Sequence, residues 1–574
     1  MQLSRLLAPL RGARARLALQ WRLAVIGQIR QDRERNPEAG SAACVADSRI
    51  GHKVAQARGI RVVRVVPAEV FMAALKRVWD QRLVRQSALP PRLGKRIFSA
   101  RLLCRQRWRL TVFLASVSVF LVLAVGTLFI EPLRPLMLVT GLALFLPAAF
   151  IRLEGIRHSR RQWPRKRLKE KALPVYSVLV PVYREVAVLD QLLAALQRLQ
   201  YPRDRLDIKI IVEAHDTEMR LALSRRVLPA YMEVLVVPPG APRTKPRALN
   251  YALPFCRGEL LCIFDAEDMP APDQLRAAAE TFAAAPDDIV CLQARLGWYN
   301  ADQNWLTGMI EIEYAAHFDV LLPNLARRGW PLPLGGTSNH FRLSALRAAG
   351  GWDAWNVTED ADLGLRLARM GYRSATLDSY TGEEACTRLA DWLGQRTRWI
   401  KGWIQTWLVH VQAPIQLWQA TGRGGLVVLQ AVIGASVLAA LGYPLFLVLF
   451  LWWWWMGPEA QTWAGYIADW LYAGVFIAGH LAAVASAMVG LCRRQRSDLV
   501  WLLPLLPVYW LLVSWAAWRA LHELLKRPFH WFKTPHGLVL AGHSLWPHAL
   551  RRPAPPAWPD SARHLKGEER QPFA

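Results

Sequence analysis

Two hydrophobic patterns divide the chain. Over 110–130 and 136–151, and again over 425–456, 464–491 and 499–525, apolar residues run almost unbroken, whereas 172–410 alternates short apolar runs with amphipathic ones. The first run meets the roughly 20-residue length of a membrane-spanning helix and the second sits at its lower limit, so with the EPLRP turn between them they predict a transmembrane hairpin over 110–151. The 464–491 run predicts a plain span. The 425–456 run is too long for one straight crossing and carries Pro444 near its middle, which predicts a kink or an interfacial start. The 499–525 run holds Pro504, Pro507 and a row of tryptophans, and it reads as a re-entrant or interfacial helix as readily as a span.

In the middle stretch, SVLVPVY, DIKIIVEA, YMEVLVVPP, LLCIFDAED and IVCLQARL are β-rich runs, and amphipathic helical segments near 188–199, 217–227, 247–255 and 272–284 separate them. That alternation predicts an α/β domain, a mostly parallel sheet with helices on both faces, inserted between the transmembrane segments. Ligands of such sheets bind at the carboxyl ends of the strands. Tyr183 and Glu185, Glu213 and Asp216, and Asp265 to Asp268 fall there.

Charge orients this arrangement. The Arg-rich first 109 residues, the IRHSRRQWPRKRLKEK run and the CRRQRS loop belong on the cytoplasmic side by the positive-inside rule, while EPLRP and GPEAQTW are nearly free of cations. The expectation is a multi-pass protein of the inner (cytoplasmic) membrane with its polar module in the cytoplasm. A net charge of +28 also invites a nucleic-acid reading. Much of the excess flanks apolar runs, where it meets anionic headgroups, and no zinc finger, RNP strand or helix-turn-helix accompanies it. Seven scattered cysteines without CxxC spacing indicate neither a disulfide framework nor a zinc site. Residues 1–109 read as a cytoplasmic region with a small α/β cap, on the strand-then-helix pattern of 59–83, and the Pro- and charge-rich tail from 551 reads as disordered.

Neither GxGxxG nor GxxxxGK[ST] occurs, so the usual supports for dinucleotide binding and ATP hydrolysis are missing. Carboxylates at strand ends suit a different task. Hard oxygen ligands hold Mg²⁺ or Mn²⁺, which neutralises a diphosphate leaving group. Asp265 and Asp268 fit that role. His317, His340 and His530 read as packing or hydrogen-bonding residues.

The ordered set PVYRE, a carboxylate after the second strand, TKPRALNYAL, FDAED, LGGTSNHF, TED and QRTRW resembles the membrane-integrated family-2 glycosyltransferases, the group of cellulose, hyaluronan and related β-glycan synthases. The likeness covers 174–403 motif by motif. It implies a GT-A-like domain over 172–410, ending in an interfacial helix, with further transmembrane and interfacial helices over 425–525. It places Tyr183, Glu185, Asp216, Lys245, Asn250 and Asp265 on the nucleotide-sugar. The metal motif would be Asp265 with Glu267 or Asp268. Asp360 of TED would be the general base of an inverting displacement, with Glu359, Gln395, Arg398 and Trp399 on the acceptor and diphosphate side. In EAHD, His215 stands where the family often has an acid. FHWFKTPHG (529–537) resembles the gating loop these synthases draw over bound nucleotide, with Trp531, Lys533 and Thr534 as its contacts. The activity implied is metal-dependent transfer from a UDP-sugar, UDP-glucose first, to a growing β-linked polysaccharide. The alternatives are transfer of one sugar to a membrane lipid and, in another class, a nucleotide-sugar-binding transporter or scaffold.

Overall fold

The structure, a computed structural model, describes residues 83–534 apart from short interruptions at 94–95, 106, 127–129, 131–133, 159–164 and 457–461, together with 42–46, 61–66, 80 and 537. Near the N-terminus, strands β1 (Ala42–Ala46) and β2 (Arg61–Val66) pair in parallel. Most of the amphipathic helix expected before residue 83, and the tail from 551, lie outside the described residues. Two short strands, β3 (Arg92–Leu93) and β4 (Arg96–Ile97), form a hairpin before the first apolar helices. Those helices are α1 (Arg107–Gly126) and α2 (Arg134–His158).

The middle module is one eight-stranded mixed sheet. Its strands are β5 (Tyr176–Val182), β6 (Leu206–Glu213), β7 (Met232–Val237), β8 (Leu260–Ile263), β9 (Met269–Pro270), β10 (Ile289–Trp298), β11 (Asn339–Arg342) and β12 (Arg373–Glu383), in the order β7-β6-β5-β8-β11-β10-β12-β9. The β7-β6-β5-β8 half is parallel, as is β10 with β12, while β11 and β9 run antiparallel to their neighbours. Alternation along β5 explains why both faces are covered. Val178, Val180 and Val182 point into one apolar cluster and Leu179 into the other, as the two-residue period of a strand requires.

Seven helices of the module and its membrane flank matter for the site: α3 (Thr217–Ser224), α4 (Lys245–Ala252), α5 (Gln274–Ala284), α6 (Trp305–Ala316), α7 (Glu359–Arg369), α8 (Leu389–His410) and α9 (Pro414–Val427). Three more apolar helices follow: α10 (Ala435–Met456), α11 (Trp463–Arg493) and α12 (Leu506–Lys526). Among the described residues, four helical stretches are long and apolar enough to cross a membrane: 138–157, 414–456, 465–493 and 497–526. α2 lies along α11, whereas α1 packs through Phe113 and Val117 into a cluster with residues of α8, α10 and α12.

Two breaks shape the last helices. The 414–456 stretch turns at Gly422, whose φ of +61° is open to glycine at little cost, and passes through a π-helical segment, Val428–Gly434, before α10. Pro444 lies inside α10 itself. The 497–526 stretch begins and ends against the same module. At its start Arg494 pairs with Glu311 at 2.9 Å and Asp319 at 2.7 Å. At its end Glu523 pairs with Lys401 of α8 at 2.9 Å, and Gln405 donates to the carbonyl of Pro528 at 2.8 Å. Both flanks of the stretch are thus tied to the module, and Trp501, Trp515 and Trp518 along it are exposed.

Candidate functional site

The parallel half of the sheet sends its loops to one edge, and there the strand ends surround a cavity of about 830 Å³. The candidate site residues named from the sequence line it except Asp216, Asn250 and Asp268. Tyr183 and Glu185 follow β5, which is in register with β6, so they face Glu213 and His215 across the strand pair. Tyr183 and His215 form a ledge, hydroxyl to ring nitrogen 3.3 Å and ring centroids 5.5 Å apart. Glu213 is held by Arg247 through two hydrogen bonds of 2.9 Å.

Asp216 and Asn250, expected on the nucleotide, are not among the residues that line the cavity. Asp216 caps α3 by accepting from Met219 N at 3.2 Å, and its other oxygen takes the N–H of Arg184 at 2.6 Å, which holds that residue at a φ of +55°. Asn250 bonds the backbone of Trp352 and the carbonyl of Ser87. Both fix the walls rather than form them.

At the end of β8, Asp265 Oδ1 lies 2.5 Å from Lys245 Nζ, and Lys245 also donates to the Gly336 carbonyl at 2.9 Å. Asp268 stands behind this pair, where its Oδ2 accepts from the N–H of Asp265 at 2.7 Å and from the Thr337 hydroxyl. Asp268 Oδ1 and Glu383 Oε1 are buried without a hydrogen-bond partner among the described residues. Burial first, then the Asp265 charge, pushes the Asp268 carboxyl above its ordinary range, and burial with the neighbouring Asp265 and Asp268 charges does the same for Glu267 and Glu383. Among the described residues no three His, Cys, Asp or Glu side chains form a ready-made metal cage. A divalent cation fits this crowd of acids if the donor diphosphate completes its coordination, the way Mg²⁺ is usually held by one or two carboxylates plus phosphate. Asp265, Glu267 and Glu383 are the carboxylates of this group that line the wall.

Opposite, Glu359 and Asp360 open α7 after Thr358 at its N-cap. Gly402 of α8 makes this approach possible, since a Cβ there would fall 2.3 Å from the Thr358 hydroxyl. Burial raises the Asp360 carboxyl, while the N–H of Ala361 at 2.7 Å and the charges of Lys245 and Arg398 favour its ionised form. Glu359 is pushed further up by burial and by Asp360. Burial opposes the Lys245 ammonium, but Asp265, Glu359 and Asp360 outweigh it and hold the proton firmly.

QRTRW splits its duties along α8. Arg396 anchors the helix to Glu313 of α6 by two bonds of 2.7 Å and lies 4.7 Å from the Trp399 ring. Trp399 is thereby held between Arg396 and Tyr314, whose ring centroid is 6.1 Å away. Arg398 donates weakly to the Val357 carbonyl at 3.3 Å, lies 4.5 Å from the Trp531 ring, and keeps a buried Nε with no hydrogen-bond partner among the described residues. The strap 529–534 closes this side: Lys533 touches the Glu185 carboxylate, and Gln395 donates to Thr534 at 3.4 Å. Burial pulls the Lys533 ammonium down to about 7, against the pull of Glu185.

Sequence reasoning passed over Glu383, which closes the long strand β12, and over Tyr314 and Arg396. A glutamate ending a strand at the ligand edge was the available signal for the first. The sequence also gave no sign that the cavity continues between the membrane helices. There it is lined by Phe145, Ala148 and Arg152 of α2, by α10 from Ala435 to Tyr443, and by Gly479, His480, Ala483 and Ala487 of α11.

Two family models match the chain. Residues 177–341 match the one described as glycosyl transferase family 2, and residues 260–521 the one described as glycosyl transferase family group 2. Among curated proteins the chain is similar to a probable glycosyltransferase YdaM of Bacillus subtilis (strain 168), 29% identical over 44% of this chain and 61% of that one. It is similar to a beta-monoglucosyldiacylglycerol synthase of Nostoc sp. (strain PCC 7120 / SAG 25.82 / UTEX 2576), 30% identical over 41% of this chain and 50% of that one. It is also similar to a probable glucomannan 4-beta-mannosyltransferase 1 of Arabidopsis thaliana, 26% identical over 40% of this chain and 43% of that one. The chain thus spans roughly half the length of the curated relatives it matches.

Proposed function

Because the chain is a family-2 glycosyltransferase, a GT-A module joined to membrane helices, we propose that it transfers one sugar from a UDP-sugar, UDP-glucose first, to a hydroxyl of a membrane lipid, inverting the anomeric centre. The observation that carries this reading is the single cavity with Asp265, Asp360 and Trp399 at one end and apolar membrane helices at the other.

Asp360 accepts the proton of the acceptor hydroxyl as its oxygen attacks the anomeric carbon. The bond from that carbon to the diphosphate oxygen breaks, and UDP leaves. One displacement gives inversion. Lys245 and Arg398 face the charge that develops on the diphosphate, while Tyr183, His215 and Glu185 supply the wall for the nucleoside. Asp265 and Glu267 would hold the divalent cation, Mg²⁺ or Mn²⁺, whose charge neutralises the leaving group when bound. Positioning and electrostatics supply most of the acceleration, and the general base adds about 10²–10⁴-fold. The Arg-rich flanks support a cytoplasmic catalytic module at the inner membrane.

Shape favours a lipid acceptor over a polymer. On the spanning helices the cavity wall stays in the halves nearest the catalytic module, and Phe145, seven residues from Arg152, lies only about 10 Å deeper at the helical rise of about 1.5 Å per residue. A hydrocarbon core is about 30 Å thick. Below that point Phe145, Phe446, Phe476 and Phe450 pack ring on ring, with centroids at 5.2 Å for Phe145–Phe446 and 4.8 Å for Phe450–Phe476. A blind apolar arm suits acyl chains, and an extruded glycan needs an open one. The polysaccharide reading keeps one observation in its favour, the Trp399 ring held at the wall beside Gln395 and Arg398, a geometry that suits stacking on a sugar. Membranes holding the protein, given Mn²⁺ and labelled UDP-sugars, should put label into the organic phase on chloroform–methanol extraction. Label retained as water-soluble polymer of high mass would reject the lipid reading.

A further inference from the structure

Arg152 and His317 share a corner of the cavity that the transfer chemistry does not use. Their neighbourhood follows from a close helix contact. Gly155 of α2 lies so near the backbone of Val320 that a Cβ there would sit 2.7 Å from its carbonyl oxygen. Arg152 is three residues before Gly155 and His317 three before Val320, so the flush contact sets the two side chains beside each other, near enough for Arg152 to disfavour a charge on His317.

Neither side chain has a hydrogen-bond or ion-pair partner among the described residues. The acids around them are committed elsewhere. Glu154 binds Arg327 at 2.8 Å and Arg328 at 2.5 Å, Glu313 binds Arg396 at 2.7 Å, and Asp319 binds Arg494 at 2.7 Å. A guanidinium does not shed its proton, and a charge out of water without a counter-ion is costly. With no acid left for them among the described residues, an anion entering the cavity is the partner their charge fits. Arginine's planar fork matches phosphate, and basic pockets between membrane helices on the cytoplasmic side bind lipid headgroups. On α2 the wall beyond Arg152 is Ala148 and Phe145, which offer room for acyl chains, with Ser436, Tyr443 and His480 the polar groups on the facing helices.

We propose that Arg152 and His317 form a subsite for the phosphate of a lipid headgroup, so that the acceptor is a phosphate-bearing glycerolipid with a free hydroxyl rather than a neutral diglyceride. The inference rests on the lipid-acceptor reading above. The alternative is that Arg152 only anchors α2 at the membrane edge.

The test uses the purified full chain in detergent, titrated by calorimetry with dihexanoyl phosphatidylglycerol, dihexanoylglycerol or inorganic phosphate. Wild type should bind the phospholipid at least tenfold more tightly than the diglyceride. Arg152→Gln should erase that difference and Arg152→Lys keep part of it, while both bind UDP as wild type does, which shows that they are folded. Equal affinity for the two lipids in wild type, or selectivity that survives Arg152→Gln, overturns the subsite. Inorganic phosphate that displaces the phospholipid at equal concentration assigns the corner to free phosphate and also overturns the lipid form. Product analysis separates the two layers: label in a polymer defeats the lipid acceptor itself, whereas label on neutral diglyceride alone defeats only the phosphate subsite.

Discussion

The two ends of the cavity obey opposite rules. At the donor end charge is crowded, with Asp265, Glu267, Asp268 and Glu383 on one side and Glu359 and Asp360 on the other, and Lys245 between them. At the membrane end the wall is alanine, valine and aromatic rings, and polar groups are few. On the reading proposed above, the difference teaches how one site would handle two unlike substrates. The donor brings a compact, highly charged diphosphate, so the protein meets it with fixed charges and bears the repulsion in the empty state. A lipid acceptor brings mostly apolar surface, so its half needs shape and a floor.

The largest expected effect breaks the comparison at the junction. Asp360→Asn should lower transfer by about 10²–10⁴-fold, the range of a general base, with UDP affinity unchanged by calorimetry. Lys245→Met attacks the donor end alone. With its cation gone, Asp265 and Asp360 face each other's charge, and kcat should fall by about 10²–10³-fold, comparable to the loss of one electrostatic stabiliser of a transition state. Full activity in that variant would remove the electrostatic account of the donor end.

Phe476→Ala attacks the membrane end alone. It deletes a ring that packs on Phe450 and Phe145 below the cavity, so the arm should deepen and the preferred acyl chain lengthen, with the affinity for UDP unmoved. An unchanged chain-length profile would mean that acyl chains do not lie there.

The smallest effect is a titration. Glu359 is held up to about 8 by burial and by Asp360, above its unfolded value near 4.3. The folded state then binds the proton more tightly than the unfolded chain, so this contribution to stability is complete below about pH 4 and is lost as pH rises through about 8. Thermal melts without ligand should show Tm falling across that window, and Glu359→Gln should flatten the slope. A wild-type Tm that rises across it would contradict the buried pair.

Legibility divided along the same line. The strand ends and their acids could be read because alternating runs such as VLVPV fix which residues emerge at the sheet edge, and TED and QRTRW fall at helix starts and faces that chemistry needs. The partner that a polar side chain takes could not. Asp216 and Asn250 turn to cap and brace backbone, a choice set by Arg184 at positive φ and by the Trp352 loop, neither of which has a local signature. His317 reads as packing in the sequence, and only the contact of Gly155 with Val320 brings it to the cavity. The membrane arm was invisible for a related reason: hydropathy gives the length of a helix but not which of its faces a neighbour leaves uncovered. The ties of the 497–526 stretch to the catalytic module likewise emerge only from the ion pairs of Arg494 and Glu523.

The most direct test of one continuous site is electron cryomicroscopy of the full chain in nanodiscs with UDP, Mn²⁺ and bound lipid. The account predicts nucleotide along Tyr183, His215 and Lys245, and a lipid headgroup reaching Asp360 with its acyl chains ending above the Phe145–Phe446 rings. Density for a glycan passing between those rings toward the far side of the membrane would contradict it.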